Sequence, residues 1–425
     1  MSSAVIALGI LFVCIVLFLT EWVPSWVTAV LGCVLMVLTG VDTLDSVFSG
    51  FSSSIIVLLV GAMVVGTAMF ETGVAQIIGR KVEKLSRGNA RLFLLVGCAV
   101  AGAMSMFMSD TAVLAMFLPI IASACHAAKD MREEDVTLPI ALAVLFGGSC
   151  TLIGCTPQLT ANGLLEKMVG VKMGMWSLFG PGIILFAILL VYMQVWGFSA
   201  GRRIWGSRAV GAMRLGDERR NSAGPIVDTR KAVVMAVIVV LMVASYIAAI
   251  LPPAMTAICA ALLCIFAGCC SPKKALAGVK WEVVLFLGGC LALGNGLTSS
   301  GAGDLIGSII SGLLGDVASP MVVFAVLVIV TFLISQFITN STAIVIMEPI
   351  AISLCEVYGF SYMAFTVGIM FAACISFTTP LAASVIAMTN VAGYKFQDYL
   401  RYTWSLALLC CVAILIIVPL FYPLV

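Results

Sequence analysis

The chain has 425 residues, of which 62% are hydrophobic and 10% charged, with a formal net charge of +2 and a single histidine. No water-soluble domain of this length would stay in solution with that balance, so the class is integral membrane protein. The sequence has no Gly-x4-Gly-Lys-Ser/Thr loop, which removes ATP-driven pumping by this chain alone.

Apolar runs of about 20 residues cross a bilayer as helices. In chain order such runs fall at 4–20, 23–39, 54–71, 136–155, 176–198, 231–251, 254–269, 282–298, 362–380 and 403–424, which predicts ten crossings. The first has no basic residue before it and reads as a retained span, not a cleaved signal peptide. Two further stretches, about 92–126 and 320–357, are too long for one crossing and carry a polar break in the middle. They predict re-entrant hairpins. An unpaired amide in hydrocarbon costs several kcal/mol, so both breaks should face the protein interior.

With the hairpins counted as non-crossing, every Lys and Arg falls on one side of the membrane except Lys167 and Lys172. The positive-inside tendency makes that side cytoplasmic. Both termini are then non-cytoplasmic, the first hairpin enters from the cytoplasm and the second from outside, and the expected location is the cell (inner or plasma) membrane. The 15 Cys lie almost all in apolar runs, including the pairs Cys269/Cys270 and Cys410/Cys411, and read as small hydrophobes without disulfides or a metal site. His126 reads as surface decoration beside a charged loop.

The chain also resembles itself. Ser49, Gly50, Gly61, Gly66, Gly73, Ile78 and Gly79 recur at a constant offset as Ala277, Gly278, Gly289, Gly294, Gly301, Ile306 and Gly307. The match continues into the polar breaks. Ser105, then Ser109-Asp110-Thr111, leads to Pro119; Ser335, then Thr339-Asn340-Ser341, leads to Pro349. Thr156-Pro157 and Thr379-Pro380 each interrupt a later apolar run. Five crossings per half is an odd number, so the second half should be inverted relative to the first. That is the plan of secondary transporters whose discontinuous helices build the substrate and ion sites. The expected organisation is a first repeat at 1–198, a cytoplasmic linker at 199–230 and a second repeat at 231–425: an all-α integral membrane protein with two re-entrant hairpins and two broken helices.

At a hairpin tip, free carbonyls of the incoming helix and free amides of the outgoing one converge. The former suit a cation and the latter an anion. Asp110-Thr111 and Asn340-Ser341 are also good N-cap residue types, so capping alone is the competing reading of a single tip. Two matched tips, each with a Thr-Pro break, favour a binding site. Apart from Lys231 at the edge of the sixth, the predicted spans contain no Lys or Arg, so a dianion would be held by amides, hydroxyls and nearby cations, which points to cation coupling.

On these motifs almost the whole chain resembles the divalent anion/sodium symporter family, also called solute carrier family 13, of the ion transporter superfamily. The resemblance rests on Ser109-Asp110-Thr111, Thr339-Asn340-Ser341, the segment Gly147 to Pro157, and Thr378-Thr379-Pro380. It implies sodium-coupled transport of dicarboxylates, tricarboxylates or sulfate by a homodimer whose transport domain moves against a fixed scaffold, as an elevator. Substrate would touch both tip triplets with Thr156, Pro157, Thr379 and Pro380. Sodium would sit near Ser105, Ser109, Asp110 and Gly154 in one half and near Ser335, Thr339, Asn340 and Thr378 in the other. No cofactor, further metal or nucleic-acid partner is expected; the partners are a small anion, the lipid bilayer and a second copy.

Three departures bear on this. Asp110 stands where the family has Asn, putting a carboxylate beside the anion site; a sodium ion or a proton must intervene, unless Asp110 only caps its helix. Gln158 replaces the usual Asn, so the pocket need not match a succinate carrier. Glu348 lies in an apolar run before Pro349, opposite Leu118 in the repeat, and either carries a coupled proton or pairs with a polar group at an interface. A proton-coupled carrier or an anion exchanger of the same fold is therefore the alternative, and arsenite-type substrates match the tip triplets less well. Glu71 reads as interfacial. From other classes, Gly301-Ala302-Gly303-Asp304 looks like an element of intramembrane aspartyl proteases, but no second carboxylate is supplied from a suitable span, and its repeat mate Gly73 to Gln76 marks a duplicated turn. No charged ring or carbonyl filter suggests a channel.

Overall fold

A computed structural model of the chain describes residues 3–20, 22–74, 77, 89–127, 131–205, 229–302, 305, 319–380 and 383–425. Gln76, Ile78, Gly79, Gly303, Asp304, Ile306, Gly307 and most of the basic central loop lie outside them, and of His126 only the helical backbone is described.

The described residues form helices and their connections, with no strand. The first half contains α1 (Ser3–Thr20), α2 (Ser25–Leu38), the short α3 (Leu44–Phe48), α4 (Ser54–Glu71), α5 (Ala90–Ser105), α6 (Asp110–Ala127), α7 (Glu133–Gly148), α8 (Thr156–Val169), α9 (Phe179–Tyr192) and α10 (Phe198–Trp205). The second contains α11 (Thr229–Ala248), α12 (Pro253–Phe266), α13 (Pro272–Ala277), α14 (Trp281–Ser299), α15 (Pro320–Ser335), α16 (Asn340–Tyr358), α17 (Tyr362–Cys374), α18 (Ser384–Ala387) and α19 (Phe396–Phe421). Among the described residues, six helices or continuous helical runs are long and apolar enough to cross a membrane by length and composition, and seven shorter ones are apolar. The second arm of the second hairpin, Asn340–Tyr358, is among the six.

Local chemistry sets the boundaries. Asn89 Oδ1 accepts from the amides of Arg91 (3.0 Å) and Leu92 (3.3 Å), capping α5. Gly170 and Gly359 end α8 and α16 in the left-handed region, at φ of 78° and 70°, which glycine adopts without penalty. Several elements differ from the sequence expectation. The run expected at 136–155 ends as helix at Gly148, and α8 falls outside every expected run. The run expected at 176–198 continues through a π turn at Met193–Gly197 and on to Trp205. The run expected at 403–424 begins earlier, at Phe396, because Asp398 caps it by accepting from the Lys395 amide (2.8 Å). The run expected at 362–380 ends as helix at Cys374, and 375–383 is irregular.

The helices pack as two groups. In one, α2 packs on α14, α4 on α12, α1 on α2 and α11 on α12. In the other, both helix–turn–helix pairs, α5/α6 and α15/α16, pack on α7 and α17, with α9 and α19 outside them. Helix α8 belongs with the second group through α16 and α17 and also leans on α14 of the first. The internal repeat is visible in this packing. A Cβ on Gly61 would lie 2.7 Å from the backbone of Ala257, and one on Gly289 would lie 2.8 Å from the Cβ of Ala29. The offset that carries Gly61 to Gly289 also carries Ala29 to Ala257, so one close helix crossing is built twice with the halves exchanged.

Candidate functional site

Both hairpins turn in four residues between helices. In the first, Ser109 and not Asp110 precedes the helix, and its carbonyl accepts from the amides of Ala112 (2.9 Å) and Val113 (3.1 Å). In the second, Thr339 is the cap, and its Oγ1 accepts from the Thr342 amide (3.4 Å). The cap therefore lies one residue earlier than Asp110 and Asn340, whose side chains are left for other partners.

Those partners lie in the broken segments and, for Asp110, also at the end of α5. Ser105 Oγ donates to Asp110 Oδ1 (2.6 Å), and Cys155 Sγ donates to Oδ2 (2.7 Å). A Cβ on Gly148 would stand 2.3 Å from Asp110 Oδ1, and one on Gly154 would stand 2.2 Å from the Gly148 carbonyl oxygen. Only glycine lets the carboxylate lie this close to the end of α7. In the second half Asn340 Oδ1 accepts from Ser376 Oγ. Gln336, unremarked in the sequence reading, ties tip to break: its Oε1 accepts from the Thr378 amide (3.3 Å) and from the Thr378 hydroxyl, and its Nε2 donates to Phe332 O (2.9 Å). Ser335 does not reach Asn340; its hydroxyl donates to Phe332 O (2.9 Å).

The correspondence between the two breaks also shifts. Thr379 Oγ1 donates to Gln336 O (2.6 Å), and the same bond in the first half runs from Thr151 Oγ1 to Met106 O (2.5 Å). Thr151, not Thr156, is thus the hydrogen-bonding counterpart of Thr379. Thr156 and Pro157 instead open α8.

Two adjoining cavities, of 250 and 210 Å³, share Met63, Ser109, Thr111, Gly154, Thr156 and Lys280. The smaller gathers most of the expected residues: Ser109, Asp110, Thr111, Gly154, Thr156, Pro157, Thr339, Asn340 and Ser341 all line it. Ser105, Ser335, Thr378, Thr379 and Pro380 stand outside its wall, and the second break contributes Ala383, Ser384 and Val385 instead. Each cavity is below the roughly 300–1,000 Å³ typical of drug-sized pockets, which suits a metabolite-sized ligand.

Lys280, counted with the cytoplasmic loop in the sequence reading, lines both cavities, and its Nζ donates to Thr111 Oγ1 (2.6 Å). Its proximity in space to a residue far away in sequence left no signal in the pattern of charges. Glu348 lies away from both cavities. It is fully buried, its Oε1 accepts from Thr366 Oγ1, and its Oε2 has no hydrogen-bond partner in the structure. Glu71 ion-pairs with Lys274. Gln158 is fully buried and turned towards Cys374.

The family model described as citrate transporter matches residues 15–327, and the one described as Na+/H+ antiporter family matches residues 290–423. The chain is 29% identical over 188 residues to the uncharacterized transporter sll0640 of Synechocystis sp., covering 44% of this chain and 31% of that protein, so the match spans about a third of that relative's length. It is 22% identical over 376 residues to the sodium-dependent dicarboxylate transporter SdcS of Staphylococcus saprophyticus, covering 79% of this chain and 70% of that one. That name agrees with the resemblance to the divalent anion/sodium symporters. Among solved structures, MtrF of Neisseria gonorrhoeae superposes with a TM-score of 0.65 at 10% identity, covering 92% of this chain and 84% of that one, a likeness of fold alone. With a citrate-transporter match over most of its length and a transporter's helical fold, the chain is a multi-pass membrane protein that belongs to the citrate transporter family.

Proposed function

We propose that this protein is a secondary active carrier of small organic anions, di- or tricarboxylates with sulfate as a further candidate, coupled to sodium. The observation that carries the reading is that two tip triplets far apart in sequence line one small cavity. Each tip offers the amide end of a helix to an anion and the carbonyl end of another to a cation. Asp110, with Ser105 and the carbonyls of its turn, offers hard oxygen ligands to a sodium ion, which would in turn offset the repulsion between Asp110 and a bound dianion.

In the same reading the protein sits in the cell membrane with both termini outside and works as a homodimer. Its halves, 1–198 and 231–425, are inverted repeats with re-entrant hairpins joined by a cytoplasmic linker. The duplicated crossings at Gly61 and Gly289 support the repeat. The division into two helix groups supports elevator movement, with the hairpin group carrying the cargo past the other.

One observation favours a second reading, proton coupling. Glu348 is a fully buried acid with an unpartnered oxygen, in a stretch that also matches the Na+/H+ antiporter family model. Uptake of a labelled organic-acid panel into proteoliposomes, under sodium and proton gradients imposed separately, tests both. Citrate or succinate accumulation driven by inward sodium is expected. Accumulation that follows the proton gradient alone would favour the second reading, and no uptake of any organic anion would overturn both.

A further inference from the structure

Apart from Lys231 at the edge of one, no predicted span carries a Lys or Arg, which leaves the anion to amides, hydroxyls and bound cations. The fold changes this. Lys280 precedes α14 in the first helix group, yet its ammonium reaches Thr111 on the hairpin tip of the second. Its backbone approach is set by Gly278, where a Cβ would fall 2.0 Å from Thr67 Oγ1 on α4. An ammonium has three donors. One goes to Thr111, and no carboxylate of the described residues lies within ion-pairing distance of Lys280.

Among the described lining residues the one acid is Asp110. It accepts from Ser105 on one oxygen and from Cys155 on the other. Asp110 and Lys280 thus line the same cavity within electrostatic reach of each other, the carboxylate with a donor on each oxygen and the ammonium with donors to spare. We infer that Lys280 is a ligand for a carboxylate group of the cargo and tunes the carrier towards multiply charged anions. This rests on the organic-anion reading above and adds to it the fixed positive charge that the tips lack. A compact, flexible point charge of this kind favours charge number over carboxylate geometry.

The test is the kinetics of uptake by full-length protein in proteoliposomes, with citrate and succinate as probes. Lys280→Gln should raise KM about tenfold for succinate and more for citrate, with kcat within about threefold, and Lys280→Arg should recover most of the loss. Lys273→Gln, an exposed lysine outside both cavities, should leave both constants unchanged. Citrate-induced thermal stabilisation of the detergent-purified protein gives a readout independent of turnover, and Lys280→Gln should weaken it in parallel. Wild-type KM values in Lys280→Gln, or lost uptake with unchanged citrate stabilisation, would overturn the inference while leaving the carrier reading standing. Wild type that takes up and binds no carboxylate would instead remove the carrier reading, and this inference with it.

Discussion

Asp110 and Asn340 occupy matched positions in the repeat and differ only by an oxygen and a nitrogen, but they are held differently. The carboxylate takes a donor on each oxygen, Ser105 and Cys155. The amide takes Ser376 on its one oxygen. Replacing Asp110 by Asn therefore removes a charge and also turns one acceptor into a donor facing another donor. If a sodium ion neutralises this site, Asp110→Asn should weaken apparent sodium affinity about tenfold, equivalent to about 1.4 kcal/mol, with little change in the pH profile of uptake. Sodium titrations at several pH values measure both. A flattened pH profile with intact sodium affinity would move the coupling to a proton, and a variant indistinguishable from wild type would reduce Asp110 to a structural residue. At the other tip, Asn340→Ala should abolish coupled uptake while the protein still folds, because Asn340 lines the cavity and no apolar core is emptied by its loss. Near-normal uptake and sodium dependence would strip this tip of its binding role.

At the scale of the elements, the tip is positioned by glycines. Gly147 meets Gly102 backbone to backbone, where a Cβ would lie 2.1 Å from the Gly102 oxygen, and Gly148 faces Asp110. Gly148→Ala should force the tip away from the break and cost about 1–3 kcal/mol, the usual penalty of overpacking. Gly66 is the control: it lines the larger cavity, and a Cβ there meets nothing within 4 Å. Gly66→Ala should melt at or slightly above the wild-type temperature, since Ala is the better helix residue by about 1 kcal/mol. Equal melting temperatures for wild type and both variants in detergent would refute the packing argument.

The same elements show what the sequence could reveal. Strongly apolar helices such as α4 and α9 are legible directly, and the tips are legible because a polar break recurs at a fixed offset. Helix α8 did not stand out, because Gln158, Thr160, Asn162, Glu166 and Lys167 interrupt its apolar character; several of these are buried against protein and not lipid. The pairing of Thr156 with Thr379 followed the shared Thr-Pro, whereas the hydrogen bonds follow Thr151. Lys280 was hidden for a different reason. Its role depends on a contact with Thr111 across 169 residues, which no local pattern records.

At the scale of the whole molecule, the question is whether the two helix groups move against each other. They meet where α8 leans on α14, and a Cβ built on Gly163 would lie 2.3 Å from Leu291 Cδ2. That close approach makes the two positions suitable for a disulfide, whose Cβ atoms lie about 3.8 Å apart. A Gly163→Cys/Leu291→Cys pair, introduced into a background with the native cysteines replaced, should therefore cross-link on oxidation. If the hairpin group carries the cargo past the other, the cross-link should stop uptake almost completely and a reducing agent should restore it. Citrate-induced thermal stabilisation should survive, because the cavity lies between the tips and away from Gly163 and Leu291. Full uptake by quantitatively cross-linked protein would show that the groups need not separate at α8, and access to the cavity would then have to alternate by movement of the hairpin tips alone.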